Sequence, residues 1–244
     1  MCLIHCFIYI VHHKSHIRMS IDWQPFLLTL QLALATTCIL LIIGIPLAAF
    51  LAFTRFRFKA LPEAIIGLPL VLPPSVLGFY LLLFLSPSSA VGSWLYTRLN
   101  VRLLFTFPGL VVASVIYSLP FMVQPVQAGL QSLPVSLRHA SYTLGKGRWQ
   151  TFIQVLLPNI KSSLLTGIVL SFAHTIGEFG LVLMIGGNIP GKTQTASIAI
   201  YDEVESLNYA TAHVYAAILL LISFTILLLV YSVRKKLQGS ITGL

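Results

Sequence analysis

Long apolar runs alternate with short polar segments along this chain of 244 residues. Five of the apolar runs approach or exceed the roughly 20 residues that a helix needs to cross the hydrocarbon core of a bilayer. They predict spans at 26–53, 61–85, 107–126, 164–185 and 212–233. Because a bilayer core offers no water to the backbone, only helices can satisfy all N–H and C=O groups within each run. The fold class expected is therefore an all-α integral membrane protein with about five transmembrane helices.

Composition supports a membrane protein. Hydrophobic residues make up 57% of the chain and charged residues only 9%, whereas soluble domains carry about 25% charged residues. The net charge of +9 would suggest nucleic acid in a soluble protein. Here the basic residues are confined to loops and termini, so they are interpreted as setting the orientation in the membrane, with lipid and not nucleic acid as the partner.

The distribution of the basic residues predicts that orientation. One side of the membrane would hold the 54–60 loop, the 127–163 loop and the C-terminal tail, with ten Lys and Arg against five on the other side. Since the cytoplasmic side carries the excess of Lys and Arg, the long loop and the C-terminus are expected in the cytoplasm and the N-terminus outside. The predicted location is the cytoplasmic (inner) membrane, crossed several times.

The two ends of the chain are set apart from the transmembrane domain, which is predicted at 26–235. Residues 1–25 are interpreted as an unstructured leader, or as an over-extended reading frame with initiation at Met19. The Cys and His residues in this leader match no zinc-site spacing, so no metal site is expected. A short cytoplasmic tail is predicted at 236–244.

The polar loop at 127–163 carries the clearest helix signals. Ser132 followed by Leu133-Pro134 marks a helix start, and Gly145 is placed to end that helix. A second short helix is expected from Gly147. The first helix has one apolar stripe, formed by Leu133, Leu137, Ala140 and Leu144. Its narrow stripe and small residues favour docking in a groove of another protein; the alternative is an interfacial helix resting on lipid headgroups.

The same loop resembles the Glu-Ala-Ala loop of importer-type ABC transporter permeases, which couples the permease to its ATPase. That pattern reads Glu-Ala-Ala, three residues, Gly, nine residues, Ile-x-Leu-Pro. The candidate coupling residues here are His139, Ala140, Ser141, Gly145, Leu157 and Pro158. His139, Ser141 and Val155 depart from the pattern, in place of Glu, Ala and Ile, while the spacing is kept. The resemblance implies a type I importer permease fold with a cytoplasmic coupling helix.

Three further segments resemble molybdate permeases: 68–74, with its Leu-Pro-Leu-Val-Leu-Pro-Pro run, 177–180, which reads Gly-Glu-Phe-Gly, and 188–193, which begins Asn-Ile-Pro-Gly. The second of these is shared with sulfate and thiosulfate permeases. The resemblance therefore implies transport of a tetrahedral oxyanion, with molybdate favoured and sulfate, thiosulfate or tungstate as alternatives.

The resemblance also implies the partners. They are a second copy of the chain, two ABC ATPase subunits that use ATP and Mg²⁺, and a periplasmic or lipid-anchored oxyanion-binding protein. The chain carries no Walker lysine loop and no nucleophile elbow. No catalytic residue and no bound cofactor are therefore expected in this subunit, which would work by alternating access.

Two sets of residues within the spans are candidates for the pathway or a gate. Glu178 and His174 are one helical turn apart and are expected on the same helix face, and intramembrane carboxylates usually face a bundle interior or a cavity. The alternative for this pair is a structural interhelical hydrogen bond. Pro73 and Pro74 remove helical hydrogen bonds in mid-span, and Ser75 beside them could offer a hydroxyl to an oxyanion; the alternative there is a packing kink.

Two functions of other classes use the same His174 and Glu178 pair. A secondary anion transporter would take protons through them. An intramembrane enzyme would need further catalytic partners, which the spans do not supply.

Overall fold

The structure, a computed structural model, describes residues 21–54 and 57–239. Within these ranges all regular elements are helical. They are α1 Gln24–Phe53, α2 Ala60–Val71, α3 Pro74–Leu85, α4 Ala90–Leu99, α5 Phe107–Ser132, α6 Val135–Thr143, α7 Arg148–Thr151, α8 Leu157–Asn159, α9 Lys161–Ile176, α10 Gly180–Gly186, α11 Ala196–Glu205 and α12 Tyr209–Gly239, with a π-helical turn at Phe152–Leu156. Residues 1–20 of the expected leader, with its Cys and His residues, lie outside the described residues, as does the tail beyond Gly239.

Three of these helices, α1, α5 and the Tyr209–Leu229 part of α12, are long and apolar enough to cross a membrane. Two bent pairs pass the same test together. One joins α2 to α3 at 115°, and the other joins Arg148–Asn159 to α9 at 77°. Counting each bent pair as one span brings the number to five.

The predicted span 61–85 is two helices that meet at a sharp bend. Leu72 and Pro73 have extended backbone, and Pro74 occupies the first turn of α3. Proline has no N–H to donate and its ring clashes with the preceding turn. The double proline therefore ends α2 and starts α3 in a new direction.

The predicted span 164–185 is wrong as one continuous helix. Helix α9 ends at Ile176, with Gly177 as its C-cap, and α10 begins only at Gly180. Glu178 consequently lies in the break between two helices and not within a helix. The physical reason is local: glycine ends helices readily, and the segment after it makes hydrogen bonds to other elements, described below.

The core lies where α1, α5 and α9 pack together. Met122 of α5 is fully buried at its centre. A Cβ on Gly44 would come within 2.9 Å of Met122 Cγ, and one on Gly167 within 3.1 Å of Met122 Sδ. Small residues at these positions let the three backbones approach closely, which is how helices associate within membranes.

Helices α11 and α12 pack onto the start of α1. Phe26 stacks on Tyr215, with ring centroids 5.4 Å apart. Thr29 Oγ1 accepts a hydrogen bond from the backbone N–H of Ala196 at 2.9 Å. This contact fixes the segment after α10 against α1, and thereby positions the break that holds Glu178.

Candidate functional site

The first candidate site is the loop that carries α6 and α7. Helix α6 follows extended backbone at Pro134, and after its C-cap Leu144 comes Gly145, whose φ is +77°. This left-handed conformation favours glycine. Lys146 N–H then donates to the Ser141 carbonyl at 3.2 Å, which closes the last turn. The helix thus ends at the glycine that the sequence predicts.

Ser141 joins the two short helices of the loop. Its hydroxyl lies 2.9 Å from the hydroxyl of Thr151 in α7, and both side chains are buried. The sequence predicts Ser141 as a small residue of the coupling loop, but it does not predict this contact with Thr151. Because a buried hydroxyl needs a partner, this pair fixes the angle between α6 and α7.

The predicted apolar stripe of α6 is only half correct. Leu133 and Leu137 pack against the core, whereas Ala140 and Leu144 are exposed, Leu144 by 79%. The reason is that α7 folds back onto α6 through Ser141, so the buried face of α6 runs through 137 and 141 and not through 140 and 144. His139 is also exposed. The end of the stripe that carries Ala140 and Leu144 is therefore exposed and available for contact with another molecule.

An open groove lies beside this exposed end. Its volume is about 720 Å³. It is lined by Pro46, Ala49, Phe50 and Phe53 of α1 and by Arg138, His139, Tyr142, Arg148, Trp149, Phe152 and Leu156 of the loop. Arg138 places its guanidinium carbon 5.3 Å from the Phe53 ring centroid, and Trp149 is 70% exposed. Aromatic rings and arginines with little acid around them are typical of the centre of a protein interface.

The end of the loop connects this surface to a spanning helix. Leu157 is partly buried against the core and Pro158 is exposed. Since proline cannot donate to the carbonyl four residues earlier, the hydrogen bonding before it shifts to the π-helical turn. After Ile160 the chain turns by 77° into α9. A displacement of α6 and α7 would thus act directly on α9.

The second candidate site is the break between α9 and α10. Glu178 is only 4% exposed. Ser114 Oγ of α5 donates to Glu178 Oε2 at 2.9 Å, and Ser197 Oγ of α11 donates to the Glu178 carbonyl at 2.7 Å. Glu178 therefore joins three elements, as the structural alternative expects. Among the described residues its Oε1 has no hydrogen-bond partner.

His174 has a separate environment. Its Nδ1 lies 3.0 Å from Ser118 Oγ, and its ring stacks on Phe121 with centroids 4.1 Å apart. No hydrogen bond joins His174 to Glu178 within the described residues. The expectation that they share one helix face is wrong, because α9 ends between them.

The two helix breaks lie against each other. A Cβ on Gly180 would be 3.4 Å from Pro74 Cβ and 3.5 Å from Ser75 N. Pro73 and Ser75 are exposed, and Ser75 makes no side-chain hydrogen bond within the part of the chain that the structure describes. Non-helical backbone at membrane depth is tolerated where it is buried in protein or lines a cavity.

Sequence reasoning missed Ser114 and Ser118. They stand four residues apart, so they project from one face of α5, and both are fully buried. A pair of serines at helical spacing inside an apolar span was the available signal, since such side chains seek partners across helices. Within the described residues no group of three or more His, Cys, Asp or Glu could hold a metal ion.

Comparison with known proteins gives relatives over most of the chain. It is 49% identical over 218 residues to the molybdenum transport system permease protein ModB of Azotobacter vinelandii, covering 89% of this chain and 96% of that one. It is 35% identical over 222 residues to the putative molybdenum transport system permease protein YvgM of Bacillus subtilis, covering 91% and 97%. It is also 33% identical to the sulfate transport system permease protein CysT of Escherichia coli, covering 83% and 73%.

Solved structures confirm the predicted all-α permease fold. A bacterial ABC transporter involved in the import of alginate superposes with a TM-score of 0.72 at 17% identity, over 92% of this chain and 83% of that one. The inward-facing MetNI methionine ABC transporter gives 0.67, also at 17%, over 87% and 94%. The family model for the binding-protein-dependent transport system inner membrane component matches residues 44–239. The chain belongs to this family, the permease subunits of ABC importers, which its loop motif predicts.

Proposed function

We propose that this permease subunit carries molybdate across the cytoplasmic membrane, by alternating access, in an ATP-driven importer. The observation that carries the proposal is the loop, where the exposed end of α6 beside an apolar groove is joined through Pro158 to α9. The relatives named for molybdenum transport, with 49% and 35% identity over most of the chain, support this substrate.

The motor is a pair of ABC ATPase subunits that dock on the loop. Leu144 and Trp149 offer exposed apolar surface, and Arg138 and Arg148 line the groove between the loop and α1. Such a surface suits an apolar side chain with acidic groups around it. ATP and Mg²⁺ are used by these partners, and the permease itself binds no cofactor and performs no catalysis.

Force passes from the loop to the breaks in the membrane. The Ser141 contact with Thr151 makes α6 and α7 one unit, and α9 leads from that unit to Glu178. When ATP binding draws the ATPases together, movement of α9 shifts the break against Ser75 and Pro73. These residues are placed to line the path, with Glu178 holding the break and not touching the dianion.

Two copies of the chain enclose the path, because a few helices cannot surround it alone. The loop and the C-terminus face the cytoplasm. A periplasmic or lipid-anchored binding protein delivers the oxyanion from the opposite side and provides most of the selectivity. Sulfate, thiosulfate and tungstate stay alternative substrates, since the relative named for sulfate transport is also 33% identical.

The proton-coupled alternative gains no support from the geometry. His174 and Glu178 each bind a different serine of α5 and not each other. A proton relay would need them connected through hydrogen-bonding groups.

The test is reconstitution in proteoliposomes. The permease, the ATPase and a loaded binding protein should accumulate molybdate against its gradient when ATP is supplied on the ATPase side. A matched preparation with a hydrolysis-deficient ATPase should not. Accumulation of sulfate and of tungstate, measured in parallel and compared with that of molybdate, identifies the preferred substrate. Uphill transport by the permease alone would contradict the proposal, as would accumulation of sulfate with none of molybdate.

A further inference from the structure

Helix α5 carries a row of three glutamines on one face. Gln124, Gln127 and Gln131 follow at intervals of three and four residues, so their side chains project from one side of the helix. Gln124 and Gln131 are exposed and Gln127 is partly buried. Gln124 lies about 25 Å along the helix axis from Phe107, within a hydrocarbon core about 30 Å thick. The row therefore runs from inside the membrane to the cytosolic end of α5.

A cavity with a mixed polar and apolar lining lies along this row, between α5 and α2. It has a volume of about 280 Å³ and is bordered by Glu63 and Ile66 of α2 and by Leu51 of α1 as well as by the glutamines. A water molecule takes about 30 Å³ in the liquid, so the space admits a small hydrated anion. A Cβ on Gly67 would be 3.9 Å from Gln124 Nε2, which shows the amide lying beside a glycine of α2.

The one carboxylate in this cavity is already compensated. Gln127 Nε2 donates to Glu63 Oε1 at 2.6 Å, and Lys59 Nζ lies 3.4 Å from the same oxygen. Gln124 and Gln131 make no side-chain hydrogen bond to the described residues. Their N–H groups are thus available, and the cavity presents donors without an uncompensated negative charge.

Unpartnered amides at the depth of Gln124 do not face lipid, because desolvating an amide without a hydrogen bond is unfavourable. They need water, a ligand or another protein group. We propose that Gln124 and Gln131 line the cytosolic half of the translocation path and donate hydrogen bonds to the passing oxyanion. Glu63 is a positioning residue. Its carboxylate accepts the hydrogen bond of Gln127, which lies between Gln124 and Gln131 on the helix. This inference rests on the proposed function and names residues that touch its substrate.

Neutral donors suit a passage better than fixed cations do. Conduction requires binding strong enough to admit an ion and weak enough to release it. An amide N–H binds a dianion through its dipole, whereas a Lys or Arg at the same depth would hold it strongly. The spacing of two free amides, about 10 Å apart along the helix, gives the anion successive weak contacts toward the cytosol.

The test compares three substitutions in the reconstituted importer. Gln124→Met keeps the side chain's size and removes the donor, and we expect uptake of molybdate to fall about fivefold. Gln124→Glu has nearly the same shape but places a negative charge on the path. We expect molybdate uptake with this variant to be at least about tenfold lower than with Gln124→Met, because like charges in contact repel strongly. Gln131 lies at the solvent end of α5, where an added charge does not endanger folding. Gln131→Glu should also lower uptake.

ATP hydrolysis stimulated by the loaded binding protein and the melting temperature of the complex are measured on the same samples. The hydrolysis rate should stay within about twofold of the wild type, and the melting temperature within about 2 °C. A structural role for the amides would instead lower uptake, hydrolysis and melting temperature together in each variant. That result would overturn the inference, as would variants that transport at the wild-type rate. A wild-type complex that moves no oxyanion would overturn the proposed function first and this inference with it.

Discussion

Single side chains decide how the helix break at 177–179 is held. The Glu178 carboxylate is accessible to neither bulk water nor lipid, and its one hydrogen bond within the described residues comes from Ser114, 64 positions earlier. The Glu178 backbone is held independently by Ser197. Removing either side chain therefore tests a connection between helices and leaves the helices themselves intact.

Ser114→Ala is expected to lower the stability of the permease by about 1–2 kcal/mol, because it leaves a buried carboxylate oxygen without its donor. Glu178→Gln should have a smaller effect, since an amide oxygen still accepts the bond. Thermal unfolding of the detergent-solubilised protein measures both. Ser136→Ala, an exposed serine of α6, is the control and should unfold like the wild type. Equal losses at positions 114 and 136 would contradict the assigned contact.

Among the elements, α6 shows how backbone conformation prepares a surface for a partner. Its C-terminus is fixed by the positive φ of Gly145, and α7 begins after Gly147, whose φ is −70°. A Cβ added at either glycine would meet nothing within 4 Å. The two glycines have equal room for a side chain and differ in the sign of φ, which makes them a useful pair for comparison.

Gly145→Val is expected to change the end of α6 and to uncouple ATP hydrolysis from uptake. A side chain in the left-handed region costs about 1–2 kcal/mol, and the strain falls on the loop that is proposed to carry the force. Gly147→Val should leave coupling unchanged, since any residue adopts its conformation. The measurement is the ratio of molybdate accumulated to ATP hydrolysed in proteoliposomes. If both variants kept the wild-type ratio, the coupling role of the loop would be wrong.

The molecule as a whole has an asymmetry of charge that predicts its orientation in the membrane. The predicted spans put ten basic residues on the side of the long loop and five on the other. The loop with α6 and α7 and the loop before α11 consequently lie at opposite ends of the bundle if the positive side is cytoplasmic. This orientation can be tested without any transport assay.

In a variant whose three cysteines are replaced by serine, Lys192→Cys and Gln150→Cys place one thiol in each loop. In intact spheroplasts a membrane-impermeant maleimide should modify position 192 and should reach position 150 only after the membrane is opened. The unsubstituted cysteine-free protein is the control for background. The reverse pattern would mean that the loop faces outward and that no cytoplasmic ATPase could dock on it.

Much of the architecture follows from local sequence. Pro73 and Pro74 predict the bend in the second span because a proline lacks an N–H wherever it stands. Gly145 predicts the end of α6 for the same kind of reason, since only glycine adopts its conformation without strain. These signals depend on a residue and its immediate neighbours, so no knowledge of the fold is needed to interpret them.

The sequence by itself determined a helical membrane protein, its apolar runs, its proline break and the spacing of the coupling loop. Only the tertiary structure decided that Ser114 binds the Glu178 carboxylate, and that α6 buries Ser141 in place of Leu144. Helix formation and termination depend on interactions within about one turn, whereas the partner of a buried group is chosen by whichever distant element packs beside it. Hydrophobic pattern does not identify that partner, because most faces of a spanning helix are apolar alike.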